Sequence, residues 1–364
     1  MNCKNLKSKR PGIALFILMT SLMILAFAMK DLIQTTNVQV ERVRNSLDRM
    51  QAIYLARSTL RLARFFIQFD SITDPNTDTL QDQWALPIPF PIPIQVLNSF
   101  LNQDSNGSDN SQQELDSHQK EQLKKCDDFF SDFSGDATAQ IIDASSKINL
   151  NDTYNELVQK VLFSLLTPNY DFISSLEQRG IQPEEVVKEI RDFIDQDEEQ
   201  NDTNAPETTP YLDAQLPYGP KNRRIFVLDE IKLVPSIDNQ LYDYFSRFTT
   251  AINFKGRDQL GKINLNTVSK EVFQALLKDL SDPEETAKAF IKDREDNNRV
   301  YTDKDISQQL QSIGIDPQNV WLPLMTGKTD VFLVKTKAKV NDVQIELDSV
   351  VKRPNTVVRM RISP

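Results

Sequence analysis

The sequence predicts an α+β protein: a long N-terminal helix packed on an antiparallel sheet, with a large all-helical region inserted between them. No Gly or Pro interrupts the chain between Leu15 and Phe69, so nothing there breaks a helix. Beyond residue 330, apolar and polar residues alternate with a period of two, the signature of half-buried strands. Between these ends, Lys147-Ile148-Asn149-Leu150-Asn151 recurs as Lys262-Ile263-Asn264-Leu265-Asn266, each copy leading into an amphipathic helix.

The helix opens on an uncharged run of 17 residues, Ile13 to Met29, between Lys4, Lys7, Lys9, Arg10 and Pro11-Gly12 on one side and Lys30-Asp31 on the other. As a helix it spans roughly 25 Å, the short end for a bilayer. The basic flank keeps the N-terminus cytoplasmic. Cleavage after Gly12 would leave Ile13 as the first residue and retain the helix. Cleavage at Ala26-Phe27-Ala28 would make the run an ordinary signal peptide with Met29 first. A plain uncut anchor is the third reading. Helical spacing continues at Val40, Val43, Leu47, Met50 and Tyr54, then at Leu62, Phe65, Phe66 and Phe69. A single helix from Ile13 to Phe69, about 85 Å long, is therefore expected. Its first third suits lipid, and its last two thirds suit packing on a soluble domain.

Composition narrows the function. The 364 residues carry a net charge of −10, and −14 without the four basic residues of 1–12. Such a chain is a poor partner for nucleic acid or anionic lipid. Loss of the leader would leave Cys126 without Cys3, which excludes an intramolecular disulfide and a thiolate metal cluster. The single His, His118, sits in a polar stretch. Nothing places two acids across a cleft, so no enzyme is expected. Pro87, Pro89, Pro91 and Pro93 alternate with Ile88, Phe90 and Ile92 and demand extended backbone. Asn102 to Ser117 reads as a disordered loop.

In the repeat, Ile-Asn-Leu would insert two apolar side chains into a core. Asn151 or Asp152, and Asn266 or Thr267, would cap the helices from Tyr154 to Leu166 and from Lys270 to Leu280. The acidic stretch after residue 190 offers oxygen ligands. Asp195 and Asp197 close a helix, and Asp202, Glu207 and Asn222 can fold around a hard cation. It is not an EF-hand, since Gln200 and Pro206 occupy the positions that need Gly and Glu. On these residues alone a solvated acidic loop is the simpler reading. At the C-terminus, strands are expected over 332–340, 343–351 and 356–362, with Asn341-Asp342 as a two-residue turn.

The start resembles the leader of type IV prepilins and pseudopilins, which is cut after the Gly. Most such proteins carry Glu as the fifth residue after the cut; here it is Ile17. That absence, with Ser146 to Asn151, Ile190-Arg191-Asp192-Phe193-Ile194-Asp195-Gln196-Asp197-Glu198, Pro217 to Asn222, Leu228 to Val234 and Asn264 to Thr267, resembles the type II secretion K minor pseudopilins in motif order. The long Pro- and Asn-rich insertion and Thr208, where an acid is expected beside Glu207, depart from that pattern.

The resemblance implies a leader over 1–12, a transmembrane helix over 13–31 and the first part of a pilin-like domain over 32–144. An inserted helical domain of two helix-hairpin-helix or SAM-like units would follow over 145–325, and closing strands over 326–364. It implies a non-enzymatic subunit at the tip of the pseudopilus, anchored in the inner membrane with its C-terminal domain in the periplasm. Expected partners are the I- and J-type minor pseudopilins, the major pseudopilin, the prepilin peptidase and the inner-membrane assembly platform. It also implies calcium binding, with Asp195, Asp197, Glu207 and Asn222 as ligands. A type IV pilus or competence minor pilin is the alternative, and a membrane-anchored DNA receptor is a further one. The hairpin Asp279 to Glu285 counts against the receptor, because it is acidic and lacks the Gly that would present N–H groups to phosphate.

Overall fold

A computed structural model describes residues 11–90, 135–168, 170–200, 205–252, 260–354 and 356–363. The basic residues of 1–10, Pro91, Pro93, the 102–117 segment, His118, Cys126 and Asp202 lie outside them.

Helix α1 runs unbroken from Pro11 to Thr73. Pro75 follows, and a proline cannot continue a helix. Within its apolar part, the Thr20 hydroxyl donates to the Phe16 and Ile17 carbonyls and that of Ser21 to Leu18. Hydroxyls satisfied in this way need no water, as a membrane-spanning segment requires. The segment is long and apolar enough to cross a membrane, with a window of mean hydropathy 2.2 and no burial.

The face of α1 that packs takes Leu62 and Phe66 from the apolar set above but not the Val40 to Tyr54 stripe. Ala52, Leu55, Ala56, Thr59, Leu60, Ala63, Phe66 and Ile67 are buried against the sheet. Val40, Val43, Leu47, Met50, Tyr54 and Phe65 are exposed, Val43 at 60% and Tyr54 at 62%. At 3.6 residues per turn the two sets lie on opposite sides of the helix. The small side chains on the packed face let the backbone approach the strands. The large ones on the other face stay exposed.

The sheet is antiparallel, ordered β1 (Ile88–Phe90), β2 (Asp136–Asp143), β7 (Val331–Val340), β8 (Val343–Lys352) and β9 (Thr356–Ser363). The three expected C-terminal strands are present, and Asn341 turns the β7–β8 hairpin at φ 51°. β1 and β2 add two strands that the sequence reading lacked. Their core, with Trp84 and Phe332 in edge contact at 5.1 Å, is separate from a larger one built by residues 148–325.

Those residues fall in the chain between β2 and β7 and form two similar units. In the first, β3 (Ile148–Asn149) pairs in parallel with β4 (Thr249–Thr250) around α2 (Glu156–Leu166), α3 (Tyr170–Gln178), α4 (Pro183–Ile194), α5 (Thr209–Asp213) and α6 (Asn239–Phe248). In the second, β5 (Ile263–Asn264) pairs in parallel with β6 (Met325–Thr326) around α7 (Lys270–Leu276), α8 (Pro283–Asp296) and α9 (Ile306–Ser312).

The repeated asparagines do not cap helices. Asn155 and Ser269 are the caps, accepting from Leu157 and Val272. Asn151 instead accepts from the Ile225 N–H and donates to its carbonyl, and Asn266 does the same with Tyr301. Asn149 bonds Ile252 in the same two-way manner and so extends the β3–β4 ladder. A buried side-chain amide here replaces a strand neighbour, satisfying backbone groups that would otherwise be orphaned. Gly327 is required nearby, because a Cβ there would lie 2.0 Å from the Tyr301 carbonyl oxygen.

The second unit is bonded to the sheet. Asn264 donates to the Asp78 carbonyl and to the carboxylate of Asp143, the last residue of β2, which also accepts from Thr267. Burial pushes Asp143 up to about 6.

Candidate functional site

α4 begins on Pro183, with the Glu185 carboxylate accepting from the Gln182 N–H, and buries Val186, Val187, Ile190, Phe193 and Ile194. That amphipathic face places Asp192 and Asp195, three residues apart, on one side of its last turn. The chain then folds back: Gln200 N–H donates to the Ala205 carbonyl and Glu207 N–H to Glu198. This return carries Glu207 beneath the helix end, where it is 2% exposed. Asp192, Asp195 and Glu207 each present a carboxylate oxygen within 4.8 Å of the others.

Both Glu207 oxygens are buried, and among the described residues no donor reaches them. Burial, then the charges of Asp195 and Asp192, push Glu207 up to about 8. The Arg191 Nε stands 3.7 Å from Asp195 without a hydrogen bond. Asn222 enters from the segment before the 3₁₀ turn Leu228–Leu233. Held at φ 51°, it donates through its N–H to Phe193 and through its side chain to the Asp197 carbonyl. Its own Oδ1 is buried with no donor.

Of the expected ligands, Asp195 and Glu207 therefore come together, and Asn222 turns an orphaned oxygen inward. Asp197 is exposed, and its carboxylate accepts from the Glu199 N–H at 3.2 Å. Past the helix end, two-residue spacing no longer holds side chains on one face. Asp192 takes that place; its signal is the i,i+3 spacing from the last turn of α4 to Asp195 at the helix C-cap.

A second acidic group, Asp70, Asp78 and Asp82, is of a different kind. The Arg353 guanidinium sits among its carboxylates, 2.7 Å from Asp70 and 2.6 Å from Asp78. It supplies the counter-charge internally. Glu207, by contrast, keeps both oxygens without a donor among the described residues, and clustered carboxylate oxygens are what a hard ion such as calcium takes up.

Residues 146–254 match the family model for the type II secretion system (T2SS), protein K. The fold is similar to a chain in the crystal structure of the GspK-GspI-GspJ complex from the enterotoxigenic Escherichia coli type 2 secretion system. The two share 17% sequence identity over 89% of this chain and 99% of that one, with a TM-score of 0.60. No curated protein matches at a significant level. The family match lies over the first of the two units and supports an assignment to the type II secretion system protein K family.

Proposed function

We propose that this chain is a minor pseudopilin that sits at the tip of the type II secretion pseudopilus. Export would be driven mechanically by the filament beneath it. The observation that carries the reading is the unpartnered apolar side of α1. Below Lys30 that helix is apolar enough for a single pass through the inner membrane. Above it, Val40, Val43, Leu47, Met50 and Tyr54 form an exposed stripe opposite the sheet. Exposed apolar stripes of this length mark partner surfaces. The I- and J-type minor pseudopilins are the proposed occupants, since the similar Escherichia coli chain comes from a complex with GspI and GspJ.

The bulky region between β2 and β7, read as two helix-hairpin-helix or SAM-like units in the periplasm, would crown the filament and leave no room for a subunit above. Ile17, where a Glu would answer the N-terminal amine of an adjoining subunit, fits a terminal position. Cleavage by the prepilin peptidase between Gly12 and Ile13, at the start of α1, would precede assembly at the inner-membrane platform onto the major pseudopilin. Asp192, Asp195, Glu207 and Asn222 would hold calcium, which supplies charge neutralisation at the end of α4.

Mass spectrometry of the chain from its host membrane tests the reading. A mature N-terminus at Ile13 is expected, and a start at Met29 refutes it. Val43→Glu with Leu47→Glu should abolish co-purification with the I- and J-type subunits while leaving the melting temperature unchanged; retained co-purification assigns their contact elsewhere.

A further inference from the structure

A cavity of about 260 Å³ opens beside the end of α4, walled by Thr153, Tyr154, Arg191, Ile194, Asp195 and Arg224. Its surroundings are acidic: residues 145–325 carry 20 Lys and Arg against 31 Asp and Glu. The cavity itself reverses that sign, with two guanidinium groups and one carboxylate. The Arg191 Nε is buried and makes no hydrogen bond. Arg224, half-buried, makes no hydrogen bond or ion pair among the described residues; its charge acts on Asp152, whose carboxylate already accepts from Gly261 and Asn149. Asn151, also in the wall, spends its amide on Ile225. Ile194 and the exposed Tyr154 ring supply apolar surface at the same opening.

We propose that this cavity binds a carboxylate carried on an apolar body, with Arg191 and Arg224 taking the carboxylate and Tyr154 and Ile194 the body. Guanidinium groups are suited to planar oxyanions because their N–H donors form a rigid fork. A mostly apolar cleft with few convergent polar groups is the usual form of a small-ligand site. A carboxylate of this kind has two sources, a free C-terminal residue of a polypeptide or a small organic acid. The cavity shares its Asp195 wall with the calcium reading, but the two arginines that define it are not calcium ligands, so the two readings are tested separately.

The test is isothermal titration of the full-length protein in detergent, with chelator present throughout so that cations play no part. The probes are acetyl-Gly-Gly-Phe as free acid, the same peptide as its C-terminal amide, and phenylacetate. Binding of the free acid with at least tenfold loss for the amide is expected. A tenfold preference for the peptide acid over phenylacetate identifies a chain terminus as the source, and equal affinity identifies a small acid. Arg224→Gln should weaken binding at least tenfold with an unchanged melting temperature, because its guanidinium makes no hydrogen bond or ion pair among the described residues. Arg191→Gln should weaken binding likewise, its melting temperature being read alongside because Arg191 also faces Asp195. Equal binding of acid and amide, no binding of either acid at millimolar concentration, or full affinity in the Arg224→Gln protein overturns the proposal.

Discussion

Replacing Arg353 by Met tests what joins α1 to the sheet. The guanidinium is 8% exposed. It lies 2.7 Å from Asp70 in the last turn of α1 and 2.6 Å from Asp78, which is fully buried, and it donates to the Thr329 carbonyl at 3.0 Å. Its plane rests over Phe332 at 5.0 Å. Met retains the bulk and removes the charge, leaving two buried carboxylates without a cation. Breaking such a pair costs about 3–5 kcal/mol, a large share of the roughly 5–15 kcal/mol that holds a domain folded. The melting temperature should fall by at least about 6 °C. Burial, then Asp82 and Asp78, push Asp70 up to about 8, against the pull of Arg353. A carboxylate raised in the folded state contributes stability below its ordinary value of 3.8 and loses it as pH rises towards 8. Without the guanidinium this loss deepens, so the variant should be more destabilised at pH 8 than at pH 5. Trp84 packs on Phe332, so its fluorescence in a Trp321→Phe background follows this core separately from the larger one. Adding Asp70→Asn and Asp78→Asn should restore most of the loss. Melting curves that coincide with the parent at every pH, or a deficit greater at pH 5, refute the reasoning.

Asn266→Ala should cost about 2–4 kcal/mol in denaturant titrations, since it orphans the buried N–H and carbonyl of Tyr301. Calcium at a hundred times its Kd should stabilise the protein by about 2.7 kcal/mol, seen as a lower melting temperature in chelator. Asp192→Ala with Asp195→Ala should remove that difference and Asp197→Ala should leave it; identical curves with calcium and chelator would mean an acidic surface only. Duplex DNA should bind no more tightly than a Kd of roughly 10⁻⁴ M at physiological salt, and salt-sensitive micromolar binding would revive the receptor reading.

Much of the candidate site was legible because it rests on local spacing. Asp195 stands one residue past α4, and the acid-rich return that brings back Glu207 is short. Asp195-x-Asp197 is the more conspicuous pattern, but the helix has already ended there and it is Asp192 that shares a face with Asp195. The orphaned oxygens of Glu207 and the pairing of Arg191 with Arg224 across one cavity join segments far apart in sequence, so no local pattern carries them.

The sequence by itself determined the long helix, the hairpin of β7 and β8 and the duplicated unit. An uninterrupted run without Gly or Pro, strict alternation and a repeated five-residue motif act over short range. Tertiary structure decided which side of α1 is covered. Apolar periodicity marks two faces of that helix, and the bulkier one reads as the core. The sheet instead takes the side with Ala52, Ala56 and Ala63, because close approach of helix backbone to strands needs small side chains. Tertiary structure also decided what the repeated asparagines do. A buried amide must find donor and acceptor wherever the fold brings them, and it brings Ile225 to Asn151 and Tyr301 to Asn266.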